Sequence, residues 1–324
     1  MIEETRQQPE ALARTLEESD GLARFLHGRR PRLVILAARG TSDNAATFGR
    51  YLIEITTGIP VSMAAPSVVT LYRSQIDFRD VLVVGISQSG ESTDTNAFLE
   101  DARRRGAITV GVTNEAESSM ARICDYVVLA RAGREQSVAA TKTYTCQLLA
   151  MYLLACALGG SCQVDALRFI PEWVVGALTL EDSIAQAAQD FASMSRALSI
   201  GRGLNFANAL EFGLKLMETC YVVAERFSAA DLMHGPIATV ESGFPVFAFA
   251  PAGVTWPSIS DVIARVRALK AQTLIITDWR EAAEAGRALL LPKGPDAPAG
   301  LEDLYTPIPY IVPAQLFAAH LAEI

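Results

Sequence analysis

Residues Val81–Thr95 read VLVVGISQSGESTDT. The first six are apolar or glycine without a break, and the next seven include Ser87, Gln88, Ser89, Gly90, Ser92 and Thr93. An unbroken apolar run of this length, rich in Val and Ile, describes a strand buried on both faces, as in a parallel sheet. The loop that follows then falls at the carboxyl end of that strand. Its hydroxyls could hold an anion, carry a nucleophile, or cap a helix.

Working outward, the same kind of strand recurs. RLVILAA precedes a segment with helical periodicity from Thr41 to Thr57, and VSMAA, VLVVGI, ITVGVT and DYVVLA follow at helix-sized intervals. The apolar TKTYTCQLLAMYLLACAL then reads as a buried helix that closes the unit. Beyond it the pattern restarts. ALSIGRGLNFANALEFGLKLME echoes VILAARGTSDNAATFGRYLIE, and FPVFAFAPAG echoes DVLVVGISQSG. TLIITD, ALLLPKG and AQLFAAHLA likewise echo ITVGVTN, VVLARAG and CQLLAMYLLA, all in the same order. The sequence therefore predicts an α/β fold of two duplicated doubly wound parallel-sheet domains. Residues 1–165, with an N-terminal helix, form the first and residues 166–324 the second, joined near 160–185.

Composition narrows the function. A net charge of −8 over 324 residues argues against a nucleic-acid partner, and GRRPR near Gly28 reads as a solvated loop. The start, MIEETRQQPEALARTLEESDG, lacks signal-peptide architecture, and no apolar run reaches the ~18 residues of a membrane span. Cys124, Cys146, Cys156, Cys162 and Cys220 form no CxxC pair, and His27, His234 and His320 are scattered. A cytoplasmic protein with reduced thiols and no metal is expected.

At the end of a parallel strand, helix N-terminal amides and neighbouring hydroxyls suit a phosphate that is gripped and not transferred. No Lys follows Gly90 as a Walker loop requires, and Gly85-Ile-Ser87-Gln-Ser89 is not GxSxG. A helix cap would use only one or two of the hydroxyls. RGTSDN, Arg39 to Asn44, joins another strand end to a helix start, where Ser42 or Asp43 reads equally as an N-cap. REQSVAATK, Arg134 to Lys142, could form a third wall. The equivalent of the serine loop in the second copy, APAGVTWPS, is poor in hydroxyls, so only the first copy has this site.

The second copy carries different chemistry. NALEFGLKLMETCY places Glu211, Lys215 and Glu218 on one helix face at i, i+4 and i+7. Such a trio is either a surface ion-pair ladder or a tuned proton-transfer group in a cleft. DLMHGP puts His234 before Gly-Pro, a turn sequence that suits an exposed acid or base.

Taken together, GTS at Gly40, ISQSGES, VAATK, GRG, ALEFGLKLMET and HGP resemble the sugar isomerase (SIS) domain family. The likeness spans nearly the whole chain. It is strongest to the isomerase half of glucosamine-6-phosphate synthase and its stand-alone deaminase relatives. The resemblance implies that Ser87, Gln88, Ser89 and Ser92 cradle the phosphate of a hexose 6-phosphate, with Thr41 and Ser42 lining the pocket. Val138 and Ala140 would face the sugar. Glu218 would move a proton between C1 and C2, Lys215 and Glu211 would tune it, and His234 would open the ring from the neighbouring subunit of a homodimer. No cofactor is implied.

The chain starts at the segment that links the two halves of the synthase, which leads us to expect no glutaminase domain. It stops at QLFAAHLAEI, where the synthase pattern continues into a tail with a Schiff-base lysine. Arg39, Asp43, Ala140 and METC look more like the deaminases. The reaction expected is glucosamine 6-phosphate to fructose 6-phosphate and ammonia. A deglycase acting on a 6-phospho-fructosamine adduct and a non-catalytic sugar-phosphate sensor are the alternatives.

Overall fold

The computed structural model describes all residues, 1–324, as two compact units. The N-terminal unit comprises Glu10–Glu135 and Lys142–Arg168, and the C-terminal unit comprises Met1–Pro9, Gln136–Thr141 and Phe169–Ile324. A single cut near residue 165 therefore does not describe the division. Glu4 and Gln8 bind groups that lie among residues 136–141 and on the last helix, which draws the first nine residues into the C-terminal unit.

The N-terminal unit holds β1 (Leu33–Ala37), β2 (Val61–Met63), β3 (Val81–Ile86), β4 (Ile108–Thr113) and β5 (Tyr126–Leu129). They pair in the order β2-β1-β3-β4-β5, all parallel. All six residues of β3 are buried, as its unbroken apolar run requires. Helix α1 (Thr41–Thr57) follows β1, α2 (Thr93–Arg104) follows β3, and α3 (Lys142–Ala157) packs along α1. Under the sheet, Phe78 meets Phe98 edge to face at 5.7 Å, with Val81, Val83 and Leu99 around them.

The C-terminal unit repeats the plan with β6 (Arg196–Gly201), β7 (Val223–Ser228), β8 (Pro245–Phe249), β9 (Gln272–Thr277) and β10 (Ala288–Leu290). Their order, β7-β6-β8-β9-β10, is that of the first sheet, again all parallel. The duplication read in the sequence is thus a duplication of topology. Helix α4 (Phe206–Cys220) follows β6, and α5 (Pro307–Glu323) ends the chain. Phe191, Phe212, Phe247, Phe249 and Phe317 form one aromatic cluster, with Phe212 edge-on to Phe247 at 5.0 Å and to Phe317 at 5.8 Å. Because Phe212 belongs to α4, this cluster fixes the rotation of the helix that bears Glu211, Lys215 and Glu218. No helix is long and apolar enough to cross a membrane.

Candidate functional site

A sheet ordered 2-1-3-4-5 reverses its direction of winding between its first and third strands, and ligands bind outside the carboxyl ends of the strands at that point. In the N-terminal unit the reversal lies between β1 and β3, paired from Leu33 opposite Val81 to Ala37 opposite Gly85. The two loops leaving these ends are Ala38–Gly40 before α1, and Ser87–Ser92 before α2. Both loops read from the sequence as phosphate walls therefore leave the carboxyl ends of neighbouring strands. Arg39 on the first loop lies 3.5 Å from Asp94 at the start of α2.

The serine loop is built by its own side chains. Ser87 Oγ accepts from the Gly90 amide at 3.2 Å, and Ser89 Oγ accepts from the Glu91 amide at 3.2 Å. Ser92 donates to Thr95 Oγ1 at 3.0 Å, and Asn96 Nδ2 donates to the Gly90 carbonyl at 2.8 Å. The backbone of Gln88 is held by β4, whose Thr113 hydroxyl donates to its carbonyl at 3.1 Å. Gly90 has φ +66°, and a Cβ there would stand 2.2 Å from Ser118 Oγ. Glu91 accepts from both the amide and the hydroxyl of Ser119, which hold its carboxyl below the usual value. Gln88 and Ser89 remain exposed, whereas Ser87 is buried.

Ser42 is buried at the start of α1, where its Oγ accepts from Gln147 Nε2 at 2.9 Å. It makes no N-cap, since Gly40 occupies that position. Thr41 is half-buried beside it. Burial raises the Asp43 carboxyl, with Arg39 opposing. Gln147 was missed by the sequence reading, although a glutamine inside the apolar run CQLLAMYLLA is itself a signal of a buried polar partner.

In the C-terminal unit Lys215 Nζ lies 2.6 Å from Glu218 Oε2 and 3.3 Å from Glu211 Oε1. Side-chain exposure is 0% for Glu211 and 1% for Lys215, but 33% for Glu218. The trio is therefore not a surface ladder: two members are sealed, and one carboxylate reaches solvent. The loop residues Val138 and Ala140 belong to the same unit, and Val138 is 96% exposed.

His234 is exposed and follows the short helix Ala229–Met233 beyond the carboxyl end of β7. Glu218 precedes the amino end of that strand. The two are separated along the six residues of β7, about 20 Å at 3.3 Å per residue. One chain thus places the carboxylate before the start of this edge strand and the imidazole beyond its end.

Two doubly wound units of the same strand order, one with a hydroxyl-rich loop at its switch point and one with a charged trio of which two members are sealed, define a duplicated α/β protein. Residues 29–157 and 190–322 each match the SIS domain, and the chain belongs to that family. It is 35% identical to glutamine–fructose-6-phosphate aminotransferase (isomerizing) of Pyrococcus horikoshii, over 99% of this chain and 54% of that protein. The same enzyme of Gloeobacter violaceus is 36% identical, over 99% of this chain and 55% of its own length. The chain therefore spans about half the length of these relatives. Among solved structures, the C-terminal domain of glucosamine-fructose-6-phosphate aminotransferase from Francisella tularensis superposes with a TM-score of 0.89 at 27% identity, covering 100% of this chain and 95% of that one.

Proposed function

We propose that this protein is an isomerising amino-sugar-phosphate deaminase that converts glucosamine 6-phosphate to fructose 6-phosphate and ammonia. The observation that carries the reading is the Glu211–Lys215–Glu218 trio. A base that moves a carbon-bound proton must be ionised and must reach its substrate. Glu218 is the partly exposed member, and Lys215 Nζ stands 2.6 Å from its carboxylate.

In this reading Ser87, Gln88, Ser89 and Ser92 bind the 6-phosphate with neutral donors, aided by Thr41 and Ser42. Val138 and Ala140 border the sugar. Once the ring is open, Glu218 takes the proton from C2 and delivers it to C1. The electron pair passes through an enolamine; the C1 oxygen gains a proton as the C2 nitrogen gives one up, so C1 becomes CH2OH and C2 an imine. Water adds at C2 and ammonia leaves, with no net oxidation. Lys215 and Glu211, sealed behind Glu218, tune or relay for it. His234 opens the ring, and its separation from Glu218 within one chain supports its serving a second copy in a homodimer.

The names of the full-length relatives favour a second reading, in which the same residues run the chemistry towards the amino sugar from fructose 6-phosphate and ammonia. Ammonia release from glucosamine 6-phosphate, set against product formation from fructose 6-phosphate with ammonium, separates the two. Glu218→Gln should abolish turnover in either direction while leaving phosphosugar binding intact. Near-normal turnover in that variant would overturn the assignment.

A further inference from the structure

The segment Gln136–Thr141 carries Val138 and Ala140 but has no regular secondary structure. Its backbone groups must therefore find partners among side chains or water. Those partners come from residues far away in sequence. The Glu4 carboxylate, 8% exposed, accepts from the amides of Gln136 and Ser137, the latter at 3.3 Å from both oxygens. At the other end of the segment, Gln315 Nε2 on α5 donates to the Thr141 carbonyl at 3.2 Å. Gln315 Oε1 in turn accepts from Gln8 Nε2 at 2.8 Å, and both glutamines are fully buried. The segment is thus tied at one end by Glu4 and at the other by Gln315, which Gln8 braces, while Val138 between the ties stands in solvent.

We propose that Glu4 is a positioning residue. Its carboxylate, with the Gln8–Gln315 relay, holds the Gln136–Thr141 loop in the conformation that presents Val138 and Ala140 to the sugar. A buried carboxylate that accepts backbone amides is a strong, directional tie. Burial alone would raise the Glu4 carboxyl, but the Ser137 hydroxyl and the two amides outweigh it and hold it below the usual value. Gln315 also occupies the position in AQLFAAHLA that Gln147 occupies in CQLLAMYLLA. The two copies have therefore put equivalent buried glutamines to different uses. Gln147 fixes Ser42 at the phosphate crevice, and Gln315 fixes the loop.

This inference rests on the deaminase reading for its kinetic consequence but not for the tie itself. The test uses the full chain with Glu4→Gln, Glu4→Asp and Gln315→Leu. Hydrogen exchange reports the 136–141 amides, and calorimetry and steady-state kinetics use glucosamine 6-phosphate and fructose 6-phosphate. In Glu4→Gln, exchange at Gln136 and Ser137 should quicken about tenfold or more while the melting transition moves little. KM should rise about ten- to a hundredfold, as misplacing a substrate contact by an ångström can do, with a smaller fall in kcat. Glu4→Asp should recover part of both effects, and Gln315→Leu should loosen the Thr141 end. Unchanged exchange in Glu4→Gln overturns the clamp. Quicker exchange with unchanged KM and kcat overturns the positioning role alone. Wild-type protein that neither binds nor turns over either sugar overturns the deaminase reading, and the positioning role with it.

Discussion

Lys215 Nζ lies 2.6 Å from Glu218 Oε2, yet the lysine side chain is 1% exposed and the glutamate 33%. A buried ammonium and a solvent-reaching carboxylate in contact make an asymmetric pair, and Glu211 meets the same Lys215 from the sealed side at 3.3 Å. The consequence for stability differs from that for chemistry. Removing one partner of a buried ion pair costs about 3–5 kcal/mol, whereas replacing the whole pair with apolar or neutral groups is often tolerated. Lys215→Met should therefore lower folding stability by a few kcal/mol and abolish turnover. Adding Glu211→Gln should restore most of the stability and none of the activity. Chemical denaturation and ammonia release, measured on both variants, check the two outcomes separately.

Gly90 is the hinge of the serine loop. Its φ of +66° disfavours any Cβ, and that atom would collide with Ser118, whose Oγ caps the next short helix by accepting from the Ala121 amide. Gly90→Ala should cost about 1–3 kcal/mol by overpacking and strain. Because Gly90 sits between Ser89 and Ser92, phosphosugar KM should rise more than kcat falls. Urea denaturation and kinetics at saturating and limiting sugar phosphate measure both effects.

How far the fold could be read depended on burial. β3 was legible because every residue of it is buried, and the helix Thr41–Thr57 because its apolar residues recur at helical spacing. β7, VAERFS, gave no such signal. It is an edge strand of its sheet, only Ala224 and Ser228 of its six residues are buried, and it carries Glu225 and Arg226. An apolar-run criterion cannot find a half-solvated edge. The serine loop, Ser42 and the charged trio were legible as residue types at strand and helix ends. The long-range ties were not: Ser42 and Gln147 are 105 residues apart, and Glu4 and Ser137 of the 136–141 loop are 133. Local periodicity carries no information about such contacts.

Asp303 supplies a pH test in the same unit. It is 3% exposed, and burial, with Glu302 beside it, pushes its carboxyl from the usual 3.8 up to about 6. The folded chain therefore holds this proton more tightly than the unfolded one. The favourable contribution is complete below about pH 4 and is lost as pH rises through about 6. At neutral pH the ionised group carries a penalty of roughly 3 kcal/mol, from two pKa units at 1.36 kcal/mol each. Asp303→Asn should flatten the pH dependence between 4 and 6 and raise stability at pH 7 by about 1–3 kcal/mol. Denaturation midpoints across that range show whether it does.

The separation of Glu218 and His234 along β7 makes a sharper demand on the assembly. If each site takes Glu218 from one copy and His234 from another, Glu218→Gln and His234→Ala proteins should each be inactive alone. In a mixed dimer one site inherits both substitutions, and the other inherits neither. Random re-pairing of equal amounts makes half the molecules mixed, each with one good site of two, so activity should return to about a quarter of wild type. If both residues served one site within a chain, no combination would contain an intact site, and mixing would recover nothing. Co-refolding the two variants and following ammonia release from glucosamine 6-phosphate decides between a site shared by two copies and one complete in each.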